Sequence, residues 1–200
     1  ILSLPAITIS YSQPGYCNSL TTLQSVIRTS NSEISGSYSA TPAGLSIDGV
    51  NDGDPINGSN AGKINPSLSL PGTYTVKYNF TNFVCSGVAQ TTVIIYTQPT
   101  FTTHPSTIPE TYCQNSTAAQ LTVAANPGGT ATITSYEWFR NTTGLNSGGT
   151  SVGIGSTYTP STTLPGTAPE PSYYYCVVTN SNGCTQASNI SGLVTVNPVI

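Results

Sequence analysis

The chain has 200 residues, of which only 6% are charged, and its net charge at pH 7 is -3. This charge balance supplies no basic surface for phosphates or anionic lipids, so we expect no nucleic-acid partner and no membrane insertion. Hydrophobic residues make up 36% of the chain, and their short alternating runs favour a folded all-β protein over disorder.

Neither a leader peptide nor a membrane span is expected. Methionine is absent, the first residues lack a charged-then-apolar pattern, and no apolar run approaches the roughly 18 residues that a spanning helix needs. The sequence resembles an excised piece of a longer protein.

Six short strands are predicted in the first half, separated by clusters of Gly, Pro and Asn. They are residues 6–9, 22–27, 36–39, 45–47, 73–80 and 91–96. No helical period of useful length occurs, so a β-sandwich is favoured over an α/β fold.

One loop of the first half carries a possible calcium site. Asp48, Asp52 and Asp54 place three carboxylates within seven positions of a Gly-rich stretch, and calcium prefers such oxygen ligands. The spacing misses the register of an EF-hand loop. The alternative is that the Asp-Gly and Asn-Gly pairs only form turns.

A proline-bearing connection at residues 97–99 predicts a boundary between two modules, residues 1–97 and 98–200. Five strands are predicted in the second module. They are residues 121–123, 135–139, 157–159, 173–179 and 193–196.

The second module is organised around the strand at residues 173–179, which is followed by the turn-forming sequence Asn-Ser-Asn-Gly. Alternation places Tyr174 and Cys176 on one face. Tyr-x-Cys on a late strand is the pattern that immunoglobulin-type sandwiches place against a buried tryptophan. Trp138 is the one tryptophan in the chain, so we expect it in the core, with ligand stacking as the alternative.

The two halves correspond to each other as a tandem repeat. Tyr-Cys pairs recur at Cys17 and Cys113, late cysteines recur at Cys85 and Cys184, and Val76 lies where the second half has Cys176. The repeat predicts disulfides Cys17–Cys85 and Cys113–Cys184, which belong to an oxidising exterior.

Another pairing remains open. A Cys113–Cys176 bridge is closer to the immunoglobulin convention. Under the repeat-based pairing, Cys176 is instead a buried free thiol that packs as a small hydrophobe.

Evidence for catalysis is thin, and we expect no enzyme. His104, the one histidine, follows two threonines and precedes a proline beside the module boundary, which favours an exposed linker residue over a Ser-His-Asp site. The glutamates are scattered without a local partner for glycoside hydrolysis. The glycines at 148–149 and at 153 and 155 favour hairpin turns over a phosphate loop.

Several motifs resemble a known family. Cys-Gln-Asn-Ser at 113–116, Ser-Tyr-Glu-Trp-Phe at 135–139 and the Tyr-rich strand ending at Cys184 are similar to immunoglobulin-like repeats in very large surface proteins of Bacteroidetes. The first half is similar to the other common repeat type of those proteins, except for an insertion at 49–61. Such repeats occur in gliding-motility adhesins of the SprB kind and other type IX secretion substrates.

The resemblance implies two tandem immunoglobulin-like β-sandwich domains on the bacterial cell surface. The expected function is a non-catalytic repeat segment of an adhesin or stalk that supports adhesion or gliding by projecting a binding region. Its partners would be neighbouring repeats and, at that region, surface polysaccharide. The alternative is a carbohydrate-binding or accessory module of a secreted polysaccharide-degrading enzyme, with Tyr158, Tyr173 or Tyr175 as a platform for sugar rings.

Overall fold

The chain divides into two units, Ile1–Thr97 and Gln98–Ile200. The computed structural model describes residues 6–29, 36–47, 61–82, 85–163 and 169–199. Within these ranges the regular structure consists of β-strands and one 3-10 turn at Pro66–Leu68, with no α-helix. The all-β prediction is confirmed.

Unit 1 contains six strands in its described part. They are β1 (Ile9–Tyr11), β2 (Gly15–Cys17), β3 (Val26–Arg28), β4 (Gly36–Thr41), β5 (Gly72–Asn82) and β6 (Cys85–Tyr96). One layer pairs β1 with β3, and the other has the order β2-β6-β5-β4. Most pairs are antiparallel, but β2 runs parallel to β6, with Cys17 opposite Tyr96.

Unit 2 contains ten strands in its described part. They are β7 (Thr100–Thr103), β8 (Glu110–Cys113), β9 (Leu121–Thr122), β10 (Ala124–Asn126), β11 (Ile133–Asn141), β12 (Thr150–Ile154), β13 (Thr157–Tyr158), β14 (Glu170–Asn180), β15 (Thr185–Ala187) and β16 (Val194–Asn197). The larger sheet has the order β12-β11-β14-β16-β8, and β15 also pairs with β14. The pairs β7–β10 and β9–β13 form the other layer.

Both units are built on the same plan. An early strand, β2 or β8, runs parallel to the last strand, β6 or β16, and the preceding long strand, β5 or β14, lies antiparallel beside that last strand. Side chains from both layers fill the core between them, as in immunoglobulin-like sandwiches.

Each core contains residues of one unit only. The core of unit 1 is formed by Ile9, Tyr11, Tyr16, Ile64, Tyr74, Val76, Tyr78, Phe80, Ala89, Val93 and Ile95. The core of unit 2 is formed by Leu121, Val123, Trp138, Tyr174, Cys176 and Val194. Alternation explains both sets, because every second residue of a strand points to the same face.

Several strands were not predicted from the sequence, among them β2, β8, β12 and β15. Each has only three to five residues, too few for an alternating pattern to stand out in the sequence. The prediction of a hairpin turn at Gly153 was wrong, because Gly153 and Ile154 lie within β12 and pair with β11.

Candidate functional site

Trp138 lies at the centre of unit 2 and is fully buried. It is directly opposite Cys176 on β14, and its ring stacks on Tyr158 with centroids 5.9 Å apart. The indole Nε1 donates to the carbonyl of Gly155 at 2.9 Å. Because its polar atom is satisfied inside the sandwich, Trp138 packs as a core residue and has no free face for a ligand.

Val76 on β5 and Cys176 on β14 are both fully buried. Their predicted correspondence is not what the strand pairing shows, because Gly72 and Glu170 face equivalent residues of the last strand and this register aligns Cys176 with Tyr78. Burial raises the pKa of the Cys176 thiol to about 12. A thiol held neutral in this way is a poor nucleophile, so Cys176 acts as a small apolar side chain.

The predicted Cys17–Cys85 bridge is not formed, because Cys85 is a free thiol. Cys17 pairs with Tyr96 at the end of β6, whereas Cys85 begins that strand. Eleven residue steps of extended strand separate the two positions by roughly 36 Å. A disulfide needs Cα atoms about 4.4–6.8 Å apart.

The Cys113–Cys184 prediction fails for the same reason. Cys113 is a free thiol and lies opposite Asn197, near the Glu170 end of β14. Cys184 lies beyond Asn180, at the other end of that strand, about 33 Å away along the sheet. Since Cys113 and Cys176 are both free, the alternative bridge is absent as well.

Aromatic side chains also lie on the outer face of the large sheet of unit 2. Phe139 and Tyr175 are directly opposite each other, and their rings stack with centroids 5.2 Å apart and 12° between planes. The segment 142–149 crosses this face. Gly149 donates its N–H to the Tyr175 hydroxyl at 3.1 Å, and Asn146 donates its side-chain amide to the Ser188 carbonyl at 2.9 Å.

The predicted sugar platform is therefore not present as an exposed surface. Tyr175 is only 4% exposed, because the segment 142–149 covers it. Tyr158 packs against the core between Trp138 and Tyr174, and burial raises its pKa. Tyr173 alone of the three remains half-buried on the outer face. A single half-buried tyrosine does not provide an exposed platform for sugar rings.

The described residues do not bring catalytic groups together. The ring of His104 packs on Phe101, and its Nδ1 accepts the backbone N–H of Asn189 at 3.0 Å. Glu137 accepts a hydrogen bond from Ser151 at 2.6 Å. Within the described part of the chain, no group of three or more His, Cys, Asp or Glu side chains converges in a way that could hold a metal.

The possible calcium ligands Asp48, Asp52 and Asp54 lie outside the described residues. Calcium binding there stays a prediction from the sequence. Comparison of melting temperatures with calcium and with a chelator would test it.

Two buried serines have a structural role that the sequence analysis missed. Ser188 and Ser191 lie between β15 and β16, where the last strand is interrupted. Their hydroxyls accept the backbone N–H groups of Cys176 and Tyr174, both at 2.9 Å. These two hydroxyls take the place of backbone carbonyls as acceptors. The N–H groups of β14 therefore keep hydrogen-bond partners where the neighbouring strand is interrupted.

No model of a known protein family matches this sequence, and no curated protein matches it. Solved structures do match. The titin domains Z1Z2 in complex with telethonin are 14% identical, with 96% of this chain and 98% of that chain covered and a TM-score of 0.32.

Two further structures match in the same way. The tandem Ig repeats of Dlar are 13% identical, with 96% and 98% coverage and a TM-score of 0.35. Three N-terminal domains of the outer capsid protein Hoc of bacteriophage RB49 are 14% identical, with 97% and 70% coverage and a TM-score of 0.44.

The described residues contain no helix that is long and apolar enough to cross a membrane.

Proposed function

We propose that this chain is a pair of load-bearing spacer modules in an extracellular adhesin or stalk on a bacterial cell surface. The modules would support adhesion or gliding motility by projecting a binding region away from the cell. Neighbouring repeats of the same long protein would be their direct partners. The resemblance of several motifs to surface-protein repeats supports this role, and so does the plan that both units share.

The observation that carries the proposal is the parallel pairing of an early strand with the last strand in each unit. Tension along the chain passes the first strand, β1 or β7, then reaches the early strand, and it leaves the unit through the last strand. Because these strands run parallel, tension slides one along the other and loads the hydrogen bonds between them together. Separating them requires several bonds to break at once.

The bonds at the two ends of this ladder are well formed. In unit 2, Glu110 donates to the Leu193 carbonyl and Gln114 to the Asn197 carbonyl, both at 2.8 Å. In unit 1, the Ile94 N–H donates to the Pro14 carbonyl at 3.0 Å and the Asn18 N–H donates to the Tyr96 carbonyl at 2.9 Å.

Force spectroscopy of the whole chain in reducing buffer tests the role. The two units are expected to give two unfolding events. Gln114→Pro removes the N–H that bonds Asn197, so it is expected to lower the force of one event and leave the other unchanged. Thr111→Pro is the matched control, because bonded residues alternate along a ladder and the Thr111 N–H points away from β16.

Equal unfolding forces for Gln114→Pro and the wild-type chain would contradict the load-bearing role, provided that Trp138 fluorescence shows a folded unit 2. The surface location is tested separately. An antibody against the chain is expected to label intact cells of the source organism, and labelling only after lysis would contradict an extracellular stalk.

A further inference from the structure

Each unit carries one cysteine at either end of its long strands. In unit 1, Cys17 lies beside Tyr96, where the last strand ends, and Cys85 lies where that strand begins. In unit 2, Cys113 lies beside Asn197, where β16 ends, and Cys184 lies in the turn after the opposite end of β14. The two cysteines within a unit are too far apart to bond to each other.

The direction of the strands assigns these ends. Because β2 is parallel to β6, the chain enters unit 1 at the end where Cys85 lies. By the same pairing in unit 2, Cys113 lies at the end where the chain leaves. We call these the entry end and the exit end. In the proposed array, the exit end of unit 2 would face the entry end of the module that follows it, and the entry end of unit 1 would face the exit end of the module that precedes it.

Cys85 and Cys113 are both free and accessible. Cys113 is exposed on β8, at the edge of its sheet, and Cys85 is partly exposed. Cys176 differs from both, because it is fully buried beside Trp138. Of the three free thiols, the two at module ends are therefore the ones that an oxidant can reach.

We propose that Cys113 forms a disulfide with the entry end of the module that follows, and Cys85 with the exit end of the module that precedes. The inference rests on the proposed function, since it needs modules in series. The partner is a repeat of the same class with a cysteine at the matching end. Such a bridge would restrict bending at the joint between modules.

The oxidation balances with a small disulfide such as oxidised glutathione. The Cys113 thiolate attacks one glutathione sulfur and displaces a first molecule of reduced glutathione. The thiolate of the neighbouring module then attacks the Cys113 sulfur of the mixed disulfide and displaces a second one. Two protein thiols lose two protons and two electrons, and the glutathione disulfide gains them.

The test uses two copies of the full chain joined in series. In the junction version, Cys85→Ser in the first copy and Cys113→Ser in the second leave the two thiols at the joint. In the matched control, Cys113→Ser in the first copy and Cys85→Ser in the second leave the same two thiols at the outer ends. Both proteins have identical composition and differ only in where the thiols lie.

After oxidation with oxidised glutathione, alkylation and chymotrypsin digestion, the monomeric fraction is mapped without reduction. The junction version is expected to contain a peptide pair that links Cys113 to Cys85, because tethering gives the two thiols a high effective concentration. The control is expected to keep both thiols alkylated. Cys176 should be alkylated only after unfolding in both.

Absence of the link in the junction version, equal linking in both versions, or linking only in dimers would overturn the inference. Failure here leaves the load-bearing role intact, because that role is tested by the effect of Gln114→Pro on unfolding force. Conversely, a link at the joint together with unchanged force in Gln114→Pro would reject the load-bearing role alone.

Discussion

Gly153 lies opposite Trp138 in the ladder between β11 and β12, and an aromatic ring covers it. A Cβ at Gly153 would lie 2.8 Å from Cδ2 of Tyr158, the ring that stacks on Trp138. Glycine in a strand interior often marks such a close approach. The ring fills the space that a side chain would otherwise take.

Gly153→Ala is therefore expected to destabilise unit 2 by about 1–3 kcal/mol, because Tyr158 has to move and disturb its stack. Urea denaturation followed by Trp138 fluorescence measures the effect. Gly144→Ala is the control, since a Cβ there comes no closer than 4.0 Å to Tyr173, and it should change stability by less than about 0.5 kcal/mol. Similar losses in both variants would show that the ring contact is not the cause.

Cys176 predicts a loss of stability in alkali. In the folded chain the pKa of the Cys176 thiol is about 12, whereas an ordinary thiol has a pKa of 9.0. Stability from the buried neutral thiol is thus present below pH 9 and lost as pH rises towards 12, by about 1.4 kcal/mol per pH unit.

Cys176→Val replaces the thiol with an apolar side chain of similar size that cannot ionise. The swap nearly conserves volume, so the free energy of unfolding at pH 7 should change by less than about 1.5 kcal/mol. Between pH 9 and pH 10.5 the urea midpoint of the variant should fall less steeply than that of the wild-type chain. Equal slopes in the two proteins would exclude Cys176 as the titrating group.

At the scale of the element, long strands with alternating side chains could be predicted from the sequence, and short ones could not. The core of β14 followed from the Tyr-x-Cys alternation. The burial of Tyr175 did not follow, because Tyr175 points to the outer face and is covered by a segment that begins after Asn141. No local pattern reports that a distant loop crosses a sheet.

Asn141 organises the loop that covers Tyr175. Its amide donates to the carbonyls of Leu145 and Ser147 at 3.0 and 2.8 Å, and its Oδ1 accepts the N–H of Thr143 at 2.9 Å. Asn141→Ala is expected to cost about 1–2 kcal/mol and to speed amide hydrogen exchange across residues 142–149, because several bonds are lost at once.

Asn146→Ala is the matched comparison for this loop, because its side chain makes a single bond, to the Ser188 carbonyl. It should raise exchange less than Asn141→Ala. The same exchange rates in both variants would mean that Asn141 does not order the loop.

At the scale of the whole molecule, the sequence predicted which cysteines of the two modules align in the repeat. It did not predict which cysteines lie close enough to form a disulfide. The repeat aligns Cys17 with Cys113 and Cys85 with Cys184, and this alignment led to a pairing inside each module. Pairing depends on which end of a sheet each residue occupies. That position follows only from the parallel pairing of β2 with β6 and of β8 with β16, which joins residues far apart in sequence.

The separate cores predict that each unit responds to its own mutations. A Cβ at Gly87 would clash with the ring of Phe80 in the core of unit 1, so Gly87→Ala is expected to destabilise that unit by about 1–3 kcal/mol. Trp138 lies in unit 2, and its fluorescence reports that unit alone. Circular dichroism reports the strands of both.

In reducing buffer, Gly87→Ala should therefore lower the urea midpoint of one of the transitions seen by circular dichroism. The free energy of unfolding measured by Trp138 fluorescence should stay within about 0.3 kcal/mol of the wild-type value, as expected for independent sites. Gly153→Ala should do the reverse. If Gly87→Ala lowers the fluorescence midpoint as much as the circular dichroism midpoint, the two cores unfold as one cooperative unit. The spacer model would then need a rigid pair of modules, because a stalk of independent modules can lose one without losing its neighbour.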